Sequence, residues 1–369
     1  MTSQPGPTDV LLIAGARPNF MKIAPLMRAF AAVGLQQRLV HTGQHYDRLM
    51  SDTFFDELGI PPPDRNLGVG GGSAVRQIAE ILQGLEVELQ AHRPRITMVV
   101  GDVNSTLAAA LAANKLGIPV AHVEAGLRSF DRQMPEEINR ILTDALSDWL
   151  YVSEPSGLEN LKQEGIPESR ATLVGNVMID TLFHQLEQAR SGAPWKQLGV
   201  TPGNYALVTL HRPANVDDPA RLESILRAMQ AISRELPVLF ALHPRTRSRM
   251  ESFGFAARPS FQGFITVDPL PYRDSLALLD SARLVLTDSG GLQEEACVLR
   301  VPCLTLRENT ERPLTVAAGT NRLVGWKTDS ILAAFGEILQ GPPRIGTPPP
   351  LWDGKAAERI ADHLRLVLG

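Results

Sequence analysis

Short apolar runs that stop at a polar residue recur along the first half of the chain, and each leads into a segment of helical periodicity. LLIA (11–14) precedes a helix opening near Pro18, TMVV (97–100) one over Ser105–Lys115, VAHV (120–123) the helix PEEINRILTDAL, and WLYVS (149–153) closes the group. A run that is apolar throughout, rather than alternating, marks a strand covered on both faces, and helices between such strands make them parallel. The pattern predicts an open α/β sheet.

The same grammar restarts after a polar, Gly- and Pro-containing stretch, SGAPWKQLGVTPGN (191–204), with ALVTL (206–210), VLFAL (238–242), LVLT (284–287) and VPCLTL (301–306). This predicts a second copy of the architecture. The expected fold is two Rossmann-like, doubly wound α/β domains facing a central cleft, one over residues 1–178 and the other over 179–354. The last amphipathic pattern, AAERIADHLRLVL, lies within 355–369 and is expected to pack back on the first domain. Ligands of open α/β sheets bind beyond the carboxyl ends of the strands, so the polar residues directly after each run are the candidates for chemistry.

A chain of 369 residues has room for two or three domains at about 150 residues each, and with 44% hydrophobic and 21% charged residues it can bury a sizeable core. Its 36 basic and 40 acidic residues leave a net charge of -4, which provides no basic field for a nucleic-acid backbone. No nucleic-acid partner is expected. The first apolar run, Val10–Ala14, is far below the ~20 residues of a membrane span, and no basic leader precedes it, so no membrane partner is expected either. The two cysteines, Cys297 and Cys303, lack the spacing of a metal site and are too few for a disulfide framework, which fits a reducing, cytoplasmic setting.

In the first half, Gly15-Ala16-Arg17-Pro18-Asn19-Phe20-Met21-Lys22 follows the first strand and places Arg17 and Lys22 near a helix N-terminus, where free N–H groups favour an anion. Asp102 follows TMVVG, Glu124 follows VAHV, and Glu136 opens the helix after Pro135. Carboxylates crowded at one sheet edge shift one another's pKa, which lets one act as acid while another acts as base. The ordinary alternatives are an N-cap for Asp102 and an i,i+4 pair between Glu136 and Arg140. His122 is the one imidazole nearby and no ligand triad accompanies it, so no metal is expected. The segment Gly68-Val69-Gly70-Gly71-Gly72 approaches a dinucleotide fingerprint but lacks a preceding strand, so no nicotinamide or other cofactor is expected.

In the second half, two strands deliver His211-Arg212 and His243-Pro244-Arg245 at corresponding edge positions, a pattern suited to polyanionic groups. Thr287-Asp288-Ser289-Gly290-Gly291-Leu292-Gln293-Glu294-Glu295 empties a strand into a Ser-Gly-Gly turn and a helix whose first amides can hold phosphate oxygens. One turn in, Glu295 can accept both hydroxyls of a ribose. Glu308-Asn309-Thr310-Glu311-Arg312-Pro313 adds a further arginine after a strand.

Taken in order, GARPNFMK, HTGQHYD, GDVNSTLA, HVEAGLRS, MPEEINR, GNVMIDTL, HRPANV, LTDSGGLQEE, ENTERP and DGKAAERI resemble the bacterial UDP-N-acetylglucosamine 2-epimerases of the non-hydrolysing type, which share the two-domain fold of GT-B glycosyltransferases. The resemblance implies inversion of C2 of a UDP-sugar by elimination and re-addition of UDP through a 2-acetamidoglucal, supplying a precursor of bacterial surface polysaccharides. It also implies a homodimer with a UDP-sugar as its ligand. Carried over, it makes Asp102, Glu124 and Glu136 the acid/base carboxylates and has Arg17 and His211 stabilise the departing diphosphate. Lys22 would support that pocket, and Ser289, Gly290, Gly291, Glu295 and Arg312 would hold UDP. Gln44, His45 and His243 are the candidates for a regulatory site.

The chain departs from the family pattern in places: GARPNFMK stands for GTRPEAIK, so Asn19 replaces an acidic residue, and GDVNST stands for GDTTT. The position where some members place an aromatic over uracil is Ser275, and the QHxQM of members activated by a second UDP-GlcNAc is reduced to Gln44-His45-Tyr46-Asp47. Three other functions use overlapping residues: hydrolysis to UDP and free sugar, glycosyl transfer to an acceptor, and non-catalytic sensing of a UDP-sugar.

Overall fold

In the computed structural model, residues 8–43, 55 and 57–369 are described. The chain forms two compact units, one running up to Thr181 and taking in Pro350–Gly369, the other spanning Leu182–Pro349.

The first unit is built on seven strands: β1 (Val10–Ala14), β2 (Gln37–His41), β3 (Arg65–Asn66), β4 (Ile96–Val100), β5 (Val120–Ala125), β6 (Trp149–Val152) and β7 (Ala171–Leu173). They lie in the order β3-β2-β1-β4-β5-β6-β7, all parallel. Val10 faces Gln37 on one side and Ile96 on the other, so the order reverses between β1 and β4. That reversal opens a crevice at the carboxyl edge between the turns leaving those two strands. The helix Asn104–Lys115, NSTLAAALAANK, has Ala108, Ala109, Ala112 and Ala113 against Leu11, Ile13 and Val99, and these short side chains let it lie close on the sheet.

The second unit carries β8 (Ala206–Leu210), β9 (Val238–Leu242), β10 (Ile265–Val267), β11 (Leu284–Thr287), β12 (Cys303–Thr305) and β13 (Asn321–Leu323), again all parallel, in the order β10-β9-β8-β11-β12-β13. The first six strands of the first unit follow the same order, with the reversal here between β8 and β11. A core of Val208, Leu210, Phe240, Leu286 and Leu304 is covered by Leu222, Ile225, Met229 and Phe335 from the helices.

The apolar runs all became strands. β2, β3, β7, β10 and β13 were not anticipated, because each is short or opens on polar residues, as QRLVH does. β3 precedes the Gly68–Gly72 loop, where no strand was expected, but it is a two-residue edge strand and Gly70, Gly71 and Gly72 are exposed. No helix among the described residues is long and apolar enough to cross a membrane. Cys297 and Cys303 are both buried, and neither is in a disulfide.

The helix Ala356–Leu368 belongs to the first unit, burying Ala357, Ile360, Ala361, Leu364 and Leu368 while Leu366 faces solvent. Asp180 fixes its start: the carboxylate accepts from the Ala356 and Ala357 amides at 3.1 and 2.7 Å, supplying acceptors for the otherwise unpaired donors of a helix N-terminus. Asp180→Ala is expected to lower stability by about 1–2 kcal/mol, the usual cost of losing such a cap. Urea unfolding of the two proteins measures it, and an unchanged midpoint would refute that role for the carboxylate.

Candidate active site

In the first unit, the turns after β1, β4 and β5 are held by side chains that fit closely. A Cβ on Gly15 would come within 2.0 Å of the Ser105 hydroxyl, so only glycine permits this exit from β1. Asn19 then closes the turn. Its Oδ1 accepts from the Gly15 and Ala16 amides at 3.0 and 2.9 Å, and its Nδ2 donates to the Val100 carbonyl at 3.1 Å, tying the β1 turn to the end of β4. Asn19 supplies both a donor and an acceptor here, which an ionised carboxylate at this position would not. Arg17 opens the helix Arg17–Ala32.

Lys22, one turn further along, is buried and ion-paired with Glu124. Glu124, the penultimate residue of β5, has φ +73, a left-handed conformation rare outside glycine, where the pairing with β6 slips between Val123 and Ala125. Such a bulge re-aims one side chain, and the strain it holds is characteristic of functional positions. Gly101 follows β4 with φ +69, and a Cβ there would lie 2.9 Å from the Lys22 ammonium and 3.5 Å from Glu124 Oε2. The next residue is Asp102. The ends of β4 and β5, which are neighbours, thus carry the two carboxylates.

Asp102 is one-third exposed and accepts from Arg140 Nε at 3.0 Å, while its carbonyl accepts from Asn139 Nδ2 at 2.9 Å. It does not cap the following helix, whose N-cap is Val103. Arg140 also pairs with Glu137, so the i,i+4 partnership with Glu136 does not form. Glu137 is buried and turned back on the preceding loop, where it accepts from the Ser129 and Phe130 amides at 2.9 Å each. Glu136, half-buried in the first turn of the helix Pro135–Leu146, makes no ion pair or hydrogen bond among the described residues. Of two adjacent glutamates, Glu137 holds the loop and Glu136 does not.

In the second unit, His211 follows β8 and Asp288 follows β11, on either side of the reversal in strand order. His211 Nδ1 lies 3.0 Å from Asp288 Oδ1. Burial alone would raise the Asp288 carboxyl, but the His211 hydrogen bond and charge, the Arg212 amide and Asn215 outweigh it and hold it below the usual carboxylate range. An ionised Asp288 keeps the His211 proton on Nδ1 and directs Nε2 away. His243 lies near, with ring centroids 5.7 Å apart. Its Nδ1 accepts from the Arg245 amide as the N-cap of the helix Pro244–Ser252. Desolvation, followed by the charge of His211, holds His243 below the ordinary histidine value.

Ser289 is the N-cap of the helix Gly290–Leu299, and its hydroxyl makes no capping bond, so the opening amides at Gly290 and Gly291 keep their donors for an anion. A Cβ on Gly290 would meet Glu311 Oε1 at 2.7 Å. Around this turn lies a buried set of charges: Arg307 Nη2 is 2.8 Å from Glu311 Oε2, Arg212 Nη2 is 3.6 Å from Glu311 Oε1, and Arg312 Nε is 2.6 Å from Glu294 Oε1. Burial pushes Glu311 up, but Arg312 and Arg307 prevail and hold its carboxyl well below the usual range. Counting the ionised Asp288 that directly precedes Ser289, three guanidinium groups face three carboxylates around the turn. One turn into the helix, Glu295 is buried and accepts from the Tyr272 hydroxyl at 3.0 Å. Burial pushes its carboxyl up to about 7, although the Tyr272 bond pulls the other way. Among the described residues no group of three His, Cys, Asp or Glu side chains is placed to hold a metal ion.

Residues 28–365 match the UDP-N-acetylglucosamine 2-epimerase family. The chain belongs to that family. A UDP-N-acetylglucosamine 2-epimerase of Methanocaldococcus jannaschii is 41% identical over 355 residues, 95% of this chain and 96% of its own length. A UDP-2,3-diacetamido-2,3-dideoxy-D-glucuronate 2-epimerase of Pseudomonas aeruginosa is also 41% identical, over 364 residues, 96% of this chain and 99% of its own. The crystal structure of the Methanocaldococcus jannaschii UDP-GlcNAc 2-epimerase in complex with UDP-GlcNAc and UDP matches with a TM-score of 0.89 and 40% identity, covering 98% of this chain and 100% of that one.

Within this epimerase, the residues that strand-end reasoning selected lie at strand ends or in the turns and first helical turns that follow them: Arg17, Lys22, Asp102, Glu124 and Glu136 in the first unit, and His211, His243, Ser289, Gly290, Gly291, Glu295 and Arg312 in the second. Gln44 and His45 lie outside the described residues. The residues passed over are those that hold the others: Asp288, Glu294, Glu311, Glu137, and the buried pair His122 and Asp144. Asp288 directly follows an apolar strand, and the rule that selected Asp102 would have selected it too.

Proposed function

We propose that the protein interconverts UDP-N-acetylglucosamine and UDP-N-acetylmannosamine, supplying a precursor of bacterial surface polysaccharides. A carboxylate removes the C2 proton, the C1–O bond breaks and UDP leaves with that electron pair. The resulting 2-acetamidoglucal then takes UDP back at C1 and a proton at C2 from the other face. The observation that carries this reading is the pair Asp102 and Glu124, set at the ends of adjacent strands and each held by its own cation, with the half-buried Glu136 in the next helix. Such groups can give and take the C2 proton. His211, Arg17 and the amides at Gly290 and Gly291 would offset the charge on the leaving diphosphate, with Lys22 orienting Glu124 and Arg312 supporting the turn.

Incubation with UDP-GlcNAc in deuterated water is expected to place deuterium at C2 of both epimers, without accumulation of free UDP. Unlabelled sugar, or stoichiometric release of UDP, would overturn the reading. The equal identity to the Pseudomonas aeruginosa enzyme favours one alternative, a diacetamido-glucuronate substrate, and labelling confined to that sugar in a parallel incubation would establish it.

Glu295 is assigned to the ribose hydroxyls, which its ionised form accepts best. With the carboxyl near 7, uridine is expected to bind roughly 10-fold more weakly at pH 6 than at pH 8, and Glu295→Gln is expected to abolish the difference. Calorimetry with uridine keeps phosphate titration out of the measurement, and a flat wild-type profile would refute the assignment.

A further inference from the structure

His122 sits in the middle of β5 with no solvent exposure, and both of its ring nitrogens face acceptors. Nδ1 is 2.6 Å from Asp144 Oδ1 and Nε2 is 2.8 Å from the Gly101 carbonyl. A carbonyl cannot donate, so Nε2 must carry a proton. Burial would raise the Asp144 carboxyl, but His122 and Arg128 outweigh it and hold the group below the usual range. Both ring nitrogens thus point at acceptors, which a ring with a proton on each nitrogen would satisfy.

The two ends of this pair reach the two catalytic turns. Gly101 is the residue before Asp102, and its carbonyl belongs to the peptide group that includes the Asp102 nitrogen. On the other side, Asp144 Oδ2 accepts from the Gly126 amide at 3.0 Å, two residues after Glu124, and is 2.7 Å from Arg128 Nη2. Arg128 is bound in turn to Glu164 through Nε and Nη2, both at 2.7 Å. The row runs His122, Asp144, Arg128, Glu164, and its first pair spans from the β4 exit to the β5 exit.

We propose that His122 and Asp144 are positioning residues, a charged clasp that fixes Asp102 and Glu124 relative to one another by holding the Gly101 carbonyl and the Gly126 amide. The proposal rests on the epimerase reading for its catalytic consequence and on the ring geometry alone for the clasp. A displacement of about 1 Å in a reacting group can lower a rate by ~100-fold.

Two measurements test it. In wild-type protein labelled with ¹⁵N-histidine, without substrate, the His122 signals, assigned by sequential labelling with Val123, are expected to show a proton on each ring nitrogen; a singly protonated ring overturns the clasp. Asp144→Asn keeps the shape but places an amide where an anion is needed. It is expected to lower kcat about 100-fold with KM for UDP-GlcNAc little changed and calorimetric UDP binding retained. A residue that served only the fold would instead lower the melting temperature and leave kcat per folded molecule at the wild-type level, which would also overturn the proposal. The two readings fail separately: missing C2 labelling in the wild type sinks the epimerase reading and leaves the ring signals as they are, whereas a singly protonated ring in an enzyme that does label C2 sinks the clasp alone.

Discussion

Asp102→Asn is expected to lower turnover of UDP-GlcNAc by roughly three orders of magnitude, within the range that a general acid or base contributes, while UDP binds almost as before. The substitution keeps the size of the side chain and removes its ability to exchange a proton. The fold should tolerate it. Arg140 keeps its ion pair with Glu137, and Glu137 keeps the Ser129 and Phe130 amides that shape the neighbouring loop. The residues assigned to ribose and to the Ser-Gly-Gly turn lie in the second unit, so calorimetric affinity for UDP should change little. Turnover within tenfold of the wild type would remove Asp102 from the chemistry.

The second large effect is expected at a residue that need not touch the substrate. Asp288→Asn should lower kcat by about 10²–10³, the scale of losing one group that stabilises developing charge. Asp288 receives the His211 and Arg212 amides and the Asn215 side chain as well as the His211 ring, so it both shapes the turn after β8 and chooses the His211 tautomer. An amide loses the negative charge that keeps a proton on Nδ1, and Nε2 is then no longer set for the leaving group. A pH signature accompanies this. The Asp288 carboxyl is held below its unfolded value of 3.8, so its stabilisation is fully present above that value and is lost as pH falls through the lower folded value. Acid unfolding of the Asn variant should lack that contribution. Wild-type kcat in Asp288→Asn would show that His211 needs no partner.

The strands nearest the chemistry were the most legible part of the chain. VLLIA, ITMVV, ALVTL and LVLT are central and apolar apart from single threonines, so composition alone marks them. The edge strands escaped because β3 is two residues long and β7 is only half-buried, leaving no pattern to find. At the site, position after a strand was enough to select Asp102, Glu124 and His211. Partnerships were not legible. Nothing in PEEINR says that Glu137 turns back to the Ser129 and Phe130 amides while Glu136 does not, or that Arg140 crosses to Asp102, because those choices depend on which loop packs beside the helix. Strand alternation sets His122 on the face opposite Val123, yet a period of two cannot disclose that its ring ends on a carbonyl and a carboxylate. Asn19 is a departure in the aligned text, and only the three bonds it makes show it to be a working part of the turn.

The division of the chain has a consequence for biosynthesis. The second unit is one continuous stretch, Leu182–Pro349, whereas the first is completed only by the helix that Asp180 receives. On the ribosome the later-encoded unit has all of its sequence available before the earlier one does. The first sheet must therefore wait, with the surface meant for Ile360 and Leu364 uncovered, until Pro350–Gly369 has emerged. A break in synthesis before Pro350 would strand the first unit unfinished and leave the second whole.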